Sequence, residues 1–131
     1  MSRPLDDLVV LDLSRLFCTS LCAAFLADFG ARVIRLELEP AAPREAEGWN
    51  HEADLIHRNK QSLALDLGSE QGRTLLHQLL AKTDAFVTDC SVAELAALGI
   101  DYEGACKLRA DIVYGRLSGF GPVGPDKDLP A

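Results

Sequence analysis

Short apolar runs recur along this chain, each followed by a stretch with helical spacing, and that alternation limits the possible folds more than any other feature. Leu8-Val9-Val10-Leu11-Asp12-Leu13 is apolar and partly β-branched, the pattern of a strand buried on both faces in a parallel sheet. Cys22, Phe25, Leu26 and Phe29 then fall at i, i+3, i+4 and i+7, which predicts a helix with that stripe buried. Gly30 stands where a left-handed C-cap belongs. Residues 32–36 read as a second strand. Strand, helix and strand in this order form a βαβ unit with a right-handed crossover.

The pattern continues. A Pro- and Glu-rich loop over 39–48 leads to a short helical stretch over 49–57 and a polar turn, Arg58-Asn59-Lys60-Gln61. Strand three is expected over 63–67. Ser69 is placed to N-cap the next helix, with Glu70 near its positive end and Leu75, Leu76, Leu79 and Leu80 as its buried stripe. Residues 85–88 give strand four, followed by a helix with Val92, Leu95 and Leu98 inward and Gly99 as its stop. Asp101 caps another short helix, and 112–117 is strand five. The expected fold is one α/β domain over 1–131, an open, mainly parallel, Rossmann-like sheet of about five strands with flanking helices. The last residues, 118–131, form a Pro/Gly loop where a further covering helix is expected. The chain therefore reads as a fold cut short, or as one that leans on a partner.

Composition bears on the partners. With 131 residues, 48% of them hydrophobic, the chain has the size for one core. Thirteen Lys and Arg against 20 Asp and Glu give a net charge of −7, so the average surface repels phosphate, which argues against nucleic acid or an anionic membrane as the main partner. Asp12, Asp28 and Arg32 break the longest apolar stretches well short of a membrane span. The opening Met-Ser-Arg-Pro-Leu-Asp-Asp is neither a secretory signal nor a transit peptide, so a cytoplasmic location is expected. In that setting Cys18, Cys22, Cys90 and Cys106 are expected as reduced thiols.

Several sites are testable from residues alone. Gly119-Phe120-Gly121-Pro122-Val123-Gly124 matches G-x-G-x-x-G. The pyrophosphate mechanism behind that spacing needs a following helix N-terminus, which Pro122 and Pro125 oppose. The first βα turn contains no glycine, against a Rossmann NAD or FAD site. Cys18 lies near a helix N-terminus, a setting that activates thiols, but Cys22 one turn on belongs to the apolar stripe and favours reading both as small hydrophobes. No cysteine or histidine spacing fits a metal site, and His51, His57 and His77 have no nucleophile elbow to serve. Asp12 and Asp66 interrupt strands near their C-terminal ends, where α/β proteins place ligands. The alternative, bonding backbone amides of the following turn, is favoured for both. An anion, if one binds, belongs on the basic segment 57–61 or with Arg15 and Arg35; the other reading of that segment is a solvated turn.

Five segments, in order, resemble one family. Leu8 through Arg15 is similar to the opening strand and turn of the class III CoA-transferases, which include carnitine, formyl-CoA and bile-acid CoA-transferases and the related α-methylacyl-CoA racemases. Leu26-Ala27-Asp28-Phe29-Gly30-Ala31-Arg32-Val33-Ile34-Arg35-Leu36-Glu37 resembles the family's L-A-D-x-G-A-x-V-I-K-x-E. Asn59-Lys60-Gln61-Ser62-Leu63-Ala64-Leu65-Asp66-Leu67 with Gly72-Arg73 resembles N-K-R-S-x-x-L-D-L and G-R. Leu98-Gly99-Ile100-Asp101-Tyr102 and Ser118-Gly119-Phe120-Gly121-Pro122-Val123-Gly124-Pro125 complete the match.

The resemblance covers the whole chain but only the N-terminal portion of a longer family sequence. It implies that coenzyme A or an acyl-CoA is bound as substrate, with no tightly held cofactor. The residues it assigns to that site are Arg15, Leu16, Phe17, Cys18, Asn59 and Lys60. Asp89-Cys90-Ser91-Val92-Ala93 stands in place of the family's N-F-R-P-G, and Cys18-Thr19-Ser20 in place of A-G-P; an acid at Asp89 repels a phosphate. The aspartate on which transferases form an acyl anhydride and then a CoA thioester, and the racemase His/Asp pair, are expected beyond Ala131, so no residue here is matched as catalytic. The resemblance also implies a homodimer or a partner chain supplying the missing half. The competing expectation is a truncated, non-catalytic relative serving as a binding or interaction module.

Overall fold

A computed structural model describes residues 3–38, 51–121, 123–127 and 129, together with the backbone but not the side chains of 51–53. The expected loop over 39–48 and the start of the helix expected over 49–57 lie outside the described residues. The elements are β1 (Val9–Leu13), α1 (Phe17–Asp28), β2 (Arg32–Leu38), α2 (His51–His57), β3 (Lys60–Leu65), α3 (Glu70–Leu80), β4 (Ala85–Thr88), α4 (Val92–Ala97), α5 (Tyr102–Leu108) and β5 (Val113–Arg116).

The sheet runs β3-β2-β1-β4-β5, and every neighbouring pair is parallel. From β1 the chain steps outward to β2 and β3, then returns to the other side of β1 for β4 and β5. This reversal puts a crevice outside the carboxyl ends of β1 and β4, the place where open α/β sheets bind ligands. Among the described residues no helix is long and apolar enough to cross a membrane.

The two faces of the sheet differ. One carries the larger core, in which Leu11, Leu13, Leu36 and Phe86 meet Leu76 and Leu80 of α3, Leu95 of α4 and Ala105 of α5. The other carries a small cluster of Val10, Ala23, Ala27, Ala31 and Val33 under α1. α1 lies on that face through Thr19, Ser20, Ala23, Ala24 and Ala27, so small side chains let the helix approach closely. The stripe expected to be buried is turned outward: Cys22 is exposed, and Phe25 and Phe29 are 51% and 57% accessible. Only Leu26 of that set packs inward. Close approach of helix to sheet outweighs the greater apolar area of the other stripe.

Two further expectations shift. β3 begins three residues earlier than predicted, because Lys60 and Gln61 pair with Val33 and Ile34; polar residues are accepted there since the ladder bonds are backbone bonds. The turn contracts to Arg58 and Asn59, and Asn59 adopts φ 61°, a left-handed conformation that asparagine tolerates better than most residues. Val92, expected inward, is 56% exposed, and Leu75 is half exposed, while Leu76, Leu80 and Leu95 are buried as expected. Ser69 accepts a hydrogen bond from Gly72 N, and Asp101 one from Gly104 N, so both predicted caps form.

Gly72 has no room for a side chain, since an added Cβ would lie 1.9 Å from the Asp66 carbonyl oxygen. Gly72→Ala is expected to destabilise by about 3 kcal/mol through forced backbone movement, read as a fall in the urea midpoint. Gly115→Ala, whose Cβ would sit 3.7 Å from Phe86 O, serves as the tolerated control.

Candidate functional site

The turn after β1 is built on a buried ion pair. Asp12 is wholly buried, and the Lys60 ammonium, on a side chain only 1% exposed, donates 2.7 Å hydrogen bonds to Asp12 Oδ2 and to the Ser20 carbonyl. Ser14 Oγ donates to Asp12 Oδ1, and a 2.7 Å hydrogen bond joins Ser14 Oγ to Ser20 Oγ. Strand β3, strand β1 and the first turn of α1 are thus tied at one point. Asp12 is structural, as expected, but through a lysine and a serine rather than backbone amides. Asp66 follows the expectation literally, accepting from Gly68 N at 2.9 Å.

Asp89 sits in the loop after β4 and receives Arg15 N and Leu16 N at 2.8–3.0 Å. Its charge is therefore met by two backbone donors of the β1 turn. Arg15 Nη1 donates to Glu94 Oε1 at 2.9 Å, and Glu94 closes a capping box with Ser91 at the start of α4. The Ser91 backbone N–H, helped by its hydroxyl and by Arg15, holds the Glu94 carboxyl below its ordinary range, while the hydrogen bond to Glu94 raises the Arg15 guanidinium. With 55% and 44% of the two side chains exposed, the ion pair itself contributes little.

Around these residues lies a cleft of about 560 Å³ at the carboxyl ends of β1, β4 and β5, lined by Arg15, Leu16, Asp89, Arg116, Ser118 and Lys127 among others. The volume is that of a small-ligand site. Of the residues assigned from sequence, Arg15 and Leu16 line this cleft, while Phe17 and Cys18 are exposed on the first turn of α1. Asn59 is elsewhere. Its Nδ2 donates to Asp28 Oδ1 at 2.9 Å, at the far end of α1, a helix about 18 Å long at 1.5 Å per residue. Lys60 reaches back along the sheet, but to Asp12 and Ser20.

The cations expected to receive an anion each have a carboxylate partner: Arg58 with Asp28, Lys60 with Asp12, Arg35 with Glu37 and Arg15 with Glu94. A second hollow of about 140 Å³ beside Lys60 includes Arg35, Glu37, His57 and Ser62. Arg35 Nε there is buried without a hydrogen-bond partner among the described residues. Sequence reasoning missed Arg116 and Lys127 in the larger cleft. The signal available was position for Arg116, which closes β5 at its carboxyl end; Lys127, eleven residues further along the following loop, had no such signal. No helix follows Gly119 through Gly124 among the described residues, so no helix N-terminus is set against the G-x-G-x-x-G spacing there. No metal-ligating group of three or more His, Cys, Asp or Glu occurs among the described residues. Burial pushes the Cys90 thiol up, which suits a packing role.

The family model described as CoA-transferase family III matches residues 5–131. The chain belongs to CoA-transferase family III. Among its relatives, the cinnamoyl-CoA:phenyllactate CoA-transferase of Clostridium sporogenes is 34% identical over 92% of this chain and 32% of its own length. The succinyl-CoA:glutarate CoA-transferase of Mus musculus is 30% identical over 94% of this chain and 30% of its own. The crystal structure of a CAIB/BAIF family protein from Brucella suis superposes with a TM-score of 0.89 at 28% identity, over 99% of this chain and 37% of that one. The family III chain thus spans about a third of the length of the relatives it matches.

Two outcomes are expected from this geometry. Lys60→Met leaves Asp12 buried and unpaired and costs about 3–5 kcal/mol, whereas Lys60→Met with Asp12→Leu costs much less; urea unfolding of the two variants checks this. Glu94 contributes stability that is full above its unfolded-state pKa and is lost as pH falls through its lower folded value. Glu94→Gln should therefore flatten the acid limb of the stability–pH curve below about pH 4.5, its ordinary value.

Proposed function

We propose that this chain is the CoA-binding portion of a class III CoA-transferase-like protein acting in CoA transfer between a carboxylic acid and an acyl-CoA. The observation that carries the reading is a cleft at the sheet's switch point in a chain matched by this family over nearly its full length. CoA or acyl-CoA enters as substrate. Arg15 and Leu16 form the wall of the cleft, Phe17 and Cys18 continue it onto α1, and an extended ligand lying along α1 reaches Asn59 at the other end. Lys60 acts by fixing the β1 turn through Asp12. The covalent carboxylate chemistry belongs to an aspartate outside these 131 residues, and the compartment we propose is the cytoplasm.

A second reading has its own observation. Cys18 and Cys22, Phe25 and Phe29 lie exposed on the outer side of α1, and an apolar stripe of this kind marks interaction surfaces. On that reading the chain is a non-catalytic module, a homodimer or a subunit of a larger assembly.

Calorimetric titration of the 131-residue chain with CoA separates the two. The first predicts a micromolar Kd, near −8 kcal/mol, weakened about tenfold or more by Leu16→Asp, which sets a carboxylate in the cleft wall. No heat with CoA, together with a native mass of a dimer or heteromer, overturns it in favour of the second; a monomer that binds CoA removes the second.

A further inference from the structure

The cleft at the switch point carries three cations, Arg15, Arg116 and Lys127, against two carboxylates, Asp89 and Glu94, in a chain whose net charge is −7. Both carboxylates are engaged: Asp89 by the Arg15 and Leu16 amides, and Glu94 by Ser91 and Arg15. Arg15 is held by Glu94. Arg116 and Lys127 form no ion pair among the described residues. Arg116 also borders a smaller hollow with Asp101 and Glu103, yet pairs with neither, and Asp101 is occupied in capping α5. A guanidinium on a strand end and an ammonium on the following loop, lining one recess with no ion-pair partner of their own among the described residues, suit a planar or tetrahedral oxyanion, which the arginine fork binds through two parallel donors.

We infer that Arg116 and Lys127 form an oxyanion subsite at the carboxyl end of β5, taking a phosphate or a carboxylate of the ligand that occupies the cleft. The inference rests on the cleft being the CoA site, but it assigns the anionic contact to residues outside the segments that carry the family resemblance to CoA binding. Two sources share this chemistry: the phosphates of CoA, and the free carboxylate of a dicarboxylic acid. Four features elsewhere do not compete for the role, because Arg35, Arg58, Lys60 and Arg109 each have carboxylate partners.

The test is titration of the full 131-residue chain with CoA and, separately, with succinate. The proteins are wild type, Arg116→Ala/Lys127→Ala, the charge-keeping Arg116→Lys, and the matched control Lys82→Ala/Lys107→Ala, whose lysines are exposed and lie outside the cleft lining. Circular dichroism confirms that each variant folds. The expected result is a loss of about tenfold or more in CoA affinity for the double variant, a smaller loss with Arg116→Lys, which keeps the charge but not the fork, and no change in the control. A loss confined to succinate supports the subsite and assigns it to the carboxylate. CoA binding equal in wild type and double variant, with succinate also unchanged, overturns the subsite while leaving the CoA reading standing. Succinate binding that depends on Arg116 and Lys127 without any CoA binding overturns the CoA reading and keeps the subsite. No binding of either ligand to wild type overturns both.

Discussion

The Lys60–Asp12 pair organises this fold. A lysine whose side chain is 1% exposed and an aspartate that is wholly buried carry a large desolvation cost, offset only because the remaining polar groups are supplied locally by Ser14 and by the Ser20 carbonyl. The four residues come from β3, β1, the turn after β1 and the first turn of α1, so a single polar node fixes the edge of the sheet, its centre and the helix that covers one face. The small apolar cluster beneath α1 is too slight to set that geometry alone. The larger core on the other face sets the sheet and its α3–α5 layer.

The consequence for the site is a rigid wall. The node holds the β1 turn from below, and Asp89 holds it from the side by accepting the Arg15 and Leu16 amides. An acid in this position, read from sequence alone, argues against a phosphate nearby. In the fold its charge is compensated by amides of the neighbouring turn, and the net sign of the cleft comes from Arg116 and Lys127. Local charge in a sequence and charge at a surface therefore diverge here because the fold brings cations from distant segments beside a carboxylate whose charge is stabilised by hydrogen bonds.

How much of this was legible depends on which interactions are local. The alternation of strands and helices, the Ser69 and Asp101 caps, Gly30 after α1 and the burial of Leu76 and Leu80 in α3 all follow from side-chain periodicity and short-range hydrogen bonding, and the structure shows each of them, while Leu75 of the same stripe is half exposed. The α1 stripe did not follow the rule of the larger apolar face. Its Phe25 and Phe29 face outward, since a helix lying flat on this sheet face fits there chiefly through alanine, serine and threonine, with Leu26 partly buried beside them.

By itself the sequence determined the fold class, the parallel sheet and the family, because these depend on patterns and motifs written in consecutive residues. What the charged residues do depends on which of them the fold brings together. Lys60 and Asp12 are 48 residues apart, and Arg15 meets Asp89 and Glu94 across more than 70. Whether a cation faces a ligand or a carboxylate is settled by which strands lie side by side, and no spacing along the chain encodes that.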